Sequence, residues 1–234
     1  MPKNKTPRFY FSLRSPYSWL AYREITAFHP DLVERLEWVP FFEPDELSAR
    51  LLAEQGGRFP YSEMSREKNR YVLQDVGRLT KARGLTITWP VDRDPVWEVP
   101  HLAYLVAARH GRGHAFIDAV YRARFGRGRD ICDPATIEDV AFEIGLDPRE
   151  LARASTVPEV RAEGIRVLLD VCRDGVFGVP FLVHGFSRFW GLDRLDDFVA
   201  HLRDREEPAA SVPQPLSAIG TGRATDDAHA GGCG

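Results

Sequence analysis

The segment Ser15-Pro16-Tyr17-Ser18 has residue types that could stabilise negative charge on a bound ligand. An apolar, aromatic run of strand character, Phe9-Tyr10-Phe11, precedes it, and apolar residues at helical spacing follow it. Because serine is a good N-cap and proline suits the first helical position, the pattern predicts that a strand gives way to a helix at Ser15. A helix N-terminus offers free backbone N–H groups and the positive end of the helix dipole, which favour an anion or a thiolate. The alternative is that Ser15 serves only as a helix cap.

Acid–base groups that could act near Ser15 are expected in the loop Trp97-Glu98-Val99-Pro100 and just after it. His101 is predicted at the start of a helix, from which it could reach a pocket opposite Ser15 and transfer a proton near neutral pH. For His101 an ordinary polar role is the alternative. Glu98 is a second candidate for that pocket. Arg14, beside Ser15, could bind a carboxylate or a thiolate, or lie solvated in its loop.

Aromatic side chains could bind a flat conjugated substrate by stacking. The candidates are Tyr17, Trp19, Trp97 and Trp190, and a place in the core is the alternative for each. A metal site is not expected, because His110 and His114 have the spacing of a helical metal pair but the glycines between them break the helix. The side chains expected in the substrate pocket are Arg14, Tyr17, Ser18, Trp97, Glu98 and Trp190.

The composition indicates a globular protein with a substantial core. The chain has 234 residues, of which 44% are hydrophobic and 28% charged, and its net charge is -3. Without a basic surplus a nucleic-acid partner is not expected, and a small molecule or a protein is the favoured partner. No apolar run approaches the ~18 residues of a membrane span and no apolar signal segment opens the sequence, so we expect a cytoplasmic protein. The three cysteines, Cys132, Cys172 and Cys233, show no Cys-x-x-Cys spacing, which argues against a disulfide framework or a zinc site.

Strand and helix signals follow one another in an order that positions these residues. A strand–helix–strand pattern covers residues 8–42, and helical spacing dominates the part that follows. Strand signals return at residues 176–183 and 187–190 as a hairpin before a last helix. A capping box at Thr156 predicts the start of the last helix of the helical block. Asp193 could cap the final helix of the chain, bind a ligand, or do both.

This order predicts an α/β protein with a thioredoxin-like sheet and an all-helical insertion. The sheet combines a strand–helix–strand half with a strand–strand–helix half, and the first half is expected to pair in parallel through a right-handed crossover. The expected boundaries are residues 8–45 and 175–204 for the thioredoxin-like domain, 46–174 for the helical insertion and 205–234 for a disordered tail.

Three motifs, in the same order and at similar separations, carry a family resemblance. They are Ser15-Pro16-Tyr17-Ser18, Gly175-Val176-Phe177-Gly178-Val179-Pro180 and Phe189-Trp190-Gly191-Leu192-Asp193-Arg194-Leu195. With them, residues 8 to about 204 resemble the 2-hydroxychromene-2-carboxylate isomerases and kappa-class glutathione transferases of the DsbA-like superfamily. The first motif stands where thioredoxin-like proteins keep Cys-x-x-Cys. Hydroxyls at Ser15 and Ser18 therefore exclude a dithiol oxidoreductase at this site.

The resemblance implies a bound low-molecular-weight thiol, which is glutathione or another. Ser15 would donate a hydrogen bond to its sulfur, and a hydroxyl donor at a helix N-terminus would lower the thiol pKa. The backbone of Val179, before a cis Pro180, would pair with the cysteinyl part of the ligand. Asp193, with Arg194, would hold the γ-glutamyl end. Relatives often form dimers, so a homodimer is also implied.

The function implied by the resemblance is an isomerase of a conjugated aromatic or polyunsaturated carbonyl compound. In this family the bound thiol is thought to add to the double bond, allow rotation and leave again. Two alternatives remain open at this point. A kappa-like glutathione transferase would keep the thiol in its product, and a non-catalytic thioredoxin-like module would bind a peptide, a carrier protein or a lipid.

Overall fold

A four-stranded sheet organises the protein. The computed structural model describes residues 6–60 and 64–205. The strands are β1 (Arg8–Phe11), β2 (Glu37–Pro40), β3 (Phe181–His184) and β4 (Ser187–Trp190). Their order in the sheet is β2-β1-β3-β4, with β1 and β2 parallel and the other neighbours antiparallel. The predicted parallel pairing of the first two strands and the predicted hairpin are both present.

Helices supply the rest of the described structure. They are α1 (Pro16–Phe28), α2 (Pro30–Val33), α3 (Glu46–Glu54), α4 (Arg66–Ala82), α5 (Glu98–Arg109), α6 (Gly113–Tyr121), α7 (Pro134–Glu143), α8 (Pro148–Ala152), α9 (Pro158–Asp174) and α10 (Leu195–Asp204). A π-helical turn, Arg122–Gly126, continues α6, and 3-10 turns cover Ala154–Thr156 and Leu192–Arg194. Over the described part of the chain, every regular element between β2 and β3 is helical. The division into domains stays a prediction, and the predicted tail with Cys233 lies outside the described residues except for its first residue, 205.

The start of α9 differs from the prediction. Its N-cap is Val157, which makes no side-chain cap hydrogen bond, and not Thr156 of the predicted capping box. The Thr156 hydroxyl instead donates to the carbonyl oxygen of Arg153 at 2.8 Å, inside the preceding 3-10 turn. Pro158 is the first helical residue, and because it has no N–H, one fewer backbone donor is left unpaired in the first turn.

Two further element starts lie elsewhere than predicted. α5 begins at Glu98, so His101 lies within the helix and not at its first position. β3 begins at Phe181 and not at residue 176, because Pro180 lacks the N–H that a sheet ladder needs. Residues 176–180 therefore form a connection that leads to the sheet edge.

β1 is buried on both faces. Phe9 and Phe11 belong to the large core that α5 and α6 help to form, whereas Tyr10 packs with Phe181 and Val183 on the other side of the sheet. Alternate side chains of a strand point to opposite faces, which explains this division. In the described ranges, no helix has the length and apolar character that crossing a membrane requires.

The strand register brings two distant parts of the sequence to one edge of the sheet. Tyr10 in β1 lies opposite Phe181 in antiparallel β3. The end of β1 and the start of β3 are therefore at the same edge. This arrangement places Pro180 at the edge where β1 leads into the segment before Ser15.

Candidate active site

Ser15 is the N-cap of α1. Its backbone is extended (φ -83°, ψ 121°), and its Oγ accepts a hydrogen bond from the Ser18 N–H at 3.2 Å. Pro16 is the first helical residue, and the first turn of α1 contains no acidic side chain. Over residues 6–60 and 64–205, no acceptor is found for the Ser15 hydroxyl proton. The cap and a hydrogen bond donated to a ligand are therefore compatible, because one uses the lone pairs and the other the proton.

A cavity of about 800 Å³ lies beside the first turn of α1. Its walls come from α1, from α4 and from residues 179–196. The predicted site residues on its wall are Tyr17, Val179, Pro180, Trp190 and Asp193. Ser15 itself is partly exposed and stands two residues before Tyr17, at the end of the helix that forms this wall. The peptide bond between Val179 and Pro180 is cis.

The cavity combines aromatic surface with charged groups. Phe28, Tyr71 and Trp190 on the wall are all more than half exposed. Such rings suit a flat, conjugated ligand. Glu24 on the wall is paired with Arg83, whose Nε donates at 2.7 Å.

The acidic group that α4 contributes to the cavity wall is Asp75. It accepts a hydrogen bond from the Tyr17 hydroxyl at 2.8 Å and another from Arg78 at 3.0 Å. Burial of Tyr17 and its hydrogen bond to this carboxylate raise the pKa of Tyr17. The phenol is therefore neutral at physiological pH.

Asp193 does not cap the final helix. The N-cap of α10 is Arg194, without a side-chain cap hydrogen bond, and Asp193 belongs to the 3-10 turn before it. The Asp193 side chain is 75% exposed, lies on the cavity wall and is 3.7 Å from the Arg194 guanidinium. Gly191 allows this turn: its φ is 107°, and a Cβ there would be 2.6 Å from Asp193 Oδ1. The Gly191 N–H donates to the Pro180 carbonyl oxygen at 3.0 Å. This hydrogen bond joins the turn to the residue that precedes β3.

His101 has a different role from the one predicted. It is fully buried, with Nδ1 2.6 Å from the Trp97 carbonyl oxygen and Nε2 3.0 Å from the Leu13 backbone nitrogen. Nδ1 therefore carries the proton and Nε2 accepts from the Leu13 N–H. Burial, together with the positive charges of Arg124 and Arg14, lowers the pKa of His101 from 6.5 to about 3. A proton transfer near neutral pH is thus excluded, and His101 holds the backbone that leads to Ser15.

We expect the His101 ring to stay neutral well below pH 6. The unfolded chain takes up a proton at this residue as the pH falls through about 6.5, whereas the folded state does not. The stability contributed by neutral His101 is therefore complete above pH 6.5 and is lost as the pH falls towards 3. Ring chemical shifts from NMR between pH 7 and pH 4.5 test this expectation. A His101 titration midpoint near 6.5 would contradict it.

Two further buried side chains hold the same backbone. The Tyr121 hydroxyl donates to the Ser12 carbonyl oxygen at 3.1 Å, and Arg124 Nε donates to the Arg14 carbonyl oxygen at 3.3 Å. Arg124 also binds both oxygens of Asp92 at 2.8 Å each. Sequence reasoning missed these residues, because Arg124 lies in the π-helical turn and a buried arginine has no local sequence signal.

Several predicted pocket residues do not line the cavity. Ser18 is fully buried, and its Oγ accepts a hydrogen bond from the Ser12 N–H. Trp97 is buried beneath the Arg14 guanidinium, which lies 4.9 Å from its ring. The predicted site residues that do not line the cavity wall are Arg14, Ser15, Ser18, Trp97, Glu98, His101 and Arg194, and of these Ser15 lies at the N-terminus of the helix that forms the wall. Most of these are internal or loop positions whose polar groups already have partners within the protein.

Glu98 belongs to a buried ionic network. Arg161 Nη1 donates to Glu98 at 2.6 Å, to Asp45 at 2.8 Å and to Ser48 at 2.6 Å. Burial raises the pKa of Glu98, and Arg161 offsets only part of this effect. Burial also acts to raise the pKa of Asp45, but hydrogen bonds from the Ser48 N–H and from Arg161 outweigh it, so this pKa is lowered. The network joins α3, α5 and α9 and is structural.

Comparison with known proteins agrees with this architecture. Residues 8–203 match the family model described as "DSBA-like thioredoxin domain". A 2-hydroxychromene-2-carboxylate isomerase from Sphingobium xenophagum is 28% identical over 201 residues, which cover 86% of this chain and 99% of that protein.

Solved structures show the same fold. A 2-hydroxychromene-2-carboxylate isomerase matches with a TM-score of 0.65 at 20% identity, over 85% of this chain and 95% of that one. A probable DsbA oxidoreductase from Streptomyces coelicolor matches with a TM-score of 0.61 at 20% identity, over 88% of this chain and 92% of that one. These similarities confirm the predicted fold class.

Proposed function

The chain belongs to the family of DSBA-like thioredoxin domains, and from this premise we propose that it isomerises a conjugated carbonyl compound with the help of a bound small thiol such as glutathione. The isomerase class has support from the relative that is 28% identical over 99% of its own length. The dithiol chemistry of other family members has no basis here, because positions 15 and 18 are serines.

One observation carries the proposal. α1 begins at a serine whose hydroxyl proton has no acceptor among the described residues, and its first turn borders a cavity with aromatic walls. A hydroxyl donor and a helix N-terminus without acidic residues both stabilise a thiolate. The cavity is of the size in which proteins bind small molecules.

Residues of the cavity fit a thiol of the glutathione type. Asp193 and Asp196 offer exposed carboxylates to an ammonium group, and Val179 lies on the wall beside Pro180. Lys68 also lines the cavity, and no ion pair is found for it within residues 6–60 and 64–205, so it can take a carboxylate. These side chains can bind a zwitterionic peptide thiol at both ends.

A bound thiol supplies a nucleophile that adds reversibly to a conjugated double bond and so permits rotation about it. Ser15 donates a hydrogen bond to the sulfur, which increases the thiolate fraction and also makes the sulfur a better leaving group. Phe28, Tyr71 and Trp190 hold the conjugated part of the substrate.

The decisive experiment measures isomerisation of 2-hydroxychromene-2-carboxylate, the substrate in the relative's name, by ultraviolet absorbance. The enzyme is first freed of thiols by gel filtration and then assayed without thiol, with glutathione, and with other small thiols. We expect the rate of isomerisation by the enzyme to increase with thiol concentration until it saturates. This rate should exceed the rate measured with the thiol in the absence of enzyme. Equal turnover in thiol-free buffer would contradict thiol assistance, and mass spectrometry that found the thiol retained in the product would indicate a transferase instead.

A further inference from the structure

The Tyr17 hydroxyl is a polar group on the cavity wall that the proposed chemistry does not use. It is held by Asp75, which also lines the cavity, at 2.8 Å from Oη to Oδ2. Arg78 donates to the other carboxylate oxygen of Asp75 at 3.0 Å and fixes its orientation. Tyr17 thus joins the first turn of α1 to the middle of α4.

A tyrosine hydroxyl has a single proton, and in Tyr17 this proton is committed to Asp75. The lone pairs of Oη remain available, so towards a ligand the pair can accept a hydrogen bond but cannot donate one. The carboxylate also polarises the hydroxyl, which strengthens Oη as an acceptor. Burial and the hydrogen bond to Asp75 raise the pKa of Tyr17, so the proton stays in place at physiological pH.

We propose that Tyr17 and Asp75 form an acceptor site that selects ligands with a hydroxyl group on or beside their flat conjugated part. This inference rests on the proposed function, because it assigns specificity-determining residues to the same cavity. Exposed Phe28, Tyr71 and Trp190 on the same wall bind rings without regard to their substituents. Asp193 and Asp196, the exposed carboxylates on this wall, are assigned to the ammonium group of the thiol, so recognition of a substrate hydroxyl group is assigned to Tyr17 and Asp75.

The test compares ligand pairs that differ only at the hydroxyl group. Binding of trans-2-hydroxycinnamate, trans-2-methoxycinnamate and trans-cinnamate is measured by calorimetry in thiol-free buffer, where no turnover is needed. We expect the full-length protein to prefer the hydroxylated compound by about threefold to tenfold, the range for a net hydrogen bond between neutral groups. In Tyr17→Phe the preference should fall to about twofold or less.

Two other variants separate recognition from a merely structural contact between α1 and α4. In Asp75→Ala the Tyr17 proton is released and can be donated to the ligand, so the preference should shift from the hydroxyl towards the methoxy compound, which only accepts. Tyr71→Phe removes a second tyrosine hydroxyl from the same wall, for which no hydrogen-bond partner is found among the described residues, and should keep the original ratio.

An unchanged ratio in Tyr17→Phe would overturn the inference, and so would equal binding of all three compounds to the unmodified protein. If none of the compounds bound, the inference would also fail. The isomerase proposal would still stand in that case, because it is tested by a separate assay of thiol-dependent turnover. Conversely, a clear hydroxyl preference without any thiol requirement would support the acceptor site and contradict thiol assistance.

Discussion

Ser15→Ala is expected to lower thiol-dependent turnover (kcat/KM) by about tenfold to a hundredfold. A hydrogen bond to a charged group contributes about 1.5–3 kcal/mol, and each 1.4 kcal/mol or so corresponds to a factor of ten in rate. The change also removes the cap hydrogen bond to the Ser18 N–H, which costs about 1 kcal/mol of stability. The measurement is the isomerisation rate at saturating thiol, together with the pKa of the bound thiol from its thiolate absorbance, which should rise.

Conservative variants at Ser15 separate the cap from the contact with the thiol. Ser15→Asp keeps an N-cap acceptor but places a negative charge without a donor beside the sulfur, so stability should persist while turnover is lost. Ser15→Thr retains both functions and should restore most activity. Asp147→Ala removes the corresponding cap at α8, away from the cavity, and should leave turnover unchanged. Full activity of Ser15→Asp would exclude a hydrogen bond from Ser15 to a thiolate.

Arg161→Met is expected to lower the free energy of unfolding by about 3–5 kcal/mol at neutral pH. Arg161 is the cation that contacts both Glu98 and Asp45, and the Glu98 side chain is only 1% exposed. Without the guanidinium, Glu98 is a buried charge beside a second carboxylate, and such a charge is costly to keep ionised. Denaturant unfolding followed by circular dichroism measures this loss.

The loss should be smaller at acidic pH and in a double variant. In Arg161→Met the folded-state pKa of Glu98 is raised further above its unfolded value, so the destabilisation grows as the pH rises from about 4 and fades as it falls. In the double variant Arg161→Met with Glu98→Gln, the buried charge is absent. This variant should recover more than half of the free energy of unfolding that Arg161→Met loses. A pH-independent effect below about 1 kcal/mol would contradict a structural role of this network. Glu98→Gln alone should retain turnover, because Glu98 is not on the cavity wall.

Local signals determined where five of the ten described α-helices begin. Ser15, Asp45, Ser65, Asp133 and Asp147 each accept an N–H from a residue two or three positions later, as serine and aspartate N-caps do. These hydrogen bonds need only near neighbours in the chain, so the sequence contains all the information for them. The order of strands and helices, and with it the fold class, could be predicted for the same reason.

The predictions were wrong where a distant group determines the outcome. His101 looked like a proton carrier, but it is buried in α5 and its Nε2 accepts from an N–H that lies 88 positions away in the chain. Glu98 looked like a pocket residue, but its partner Arg161 is 63 positions away. Burial and pairing of a titratable side chain depend on what packs against it, and a single sequence does not show this.

From the sequence alone it was possible to determine the fold class, the serine at the start of α1 and the family resemblance, because short-range patterns and motifs carry them. Only the tertiary structure decided which candidates share a cavity. It placed Tyr17 with Asp75, 58 positions apart, and Asp193 on the same wall, and it placed Arg14, Ser18 and Trp97 elsewhere. The physical reason is that a cavity is formed by the packing of whole elements against one another. Local sequence patterns predict the elements, but they do not show which faces of those elements pack together.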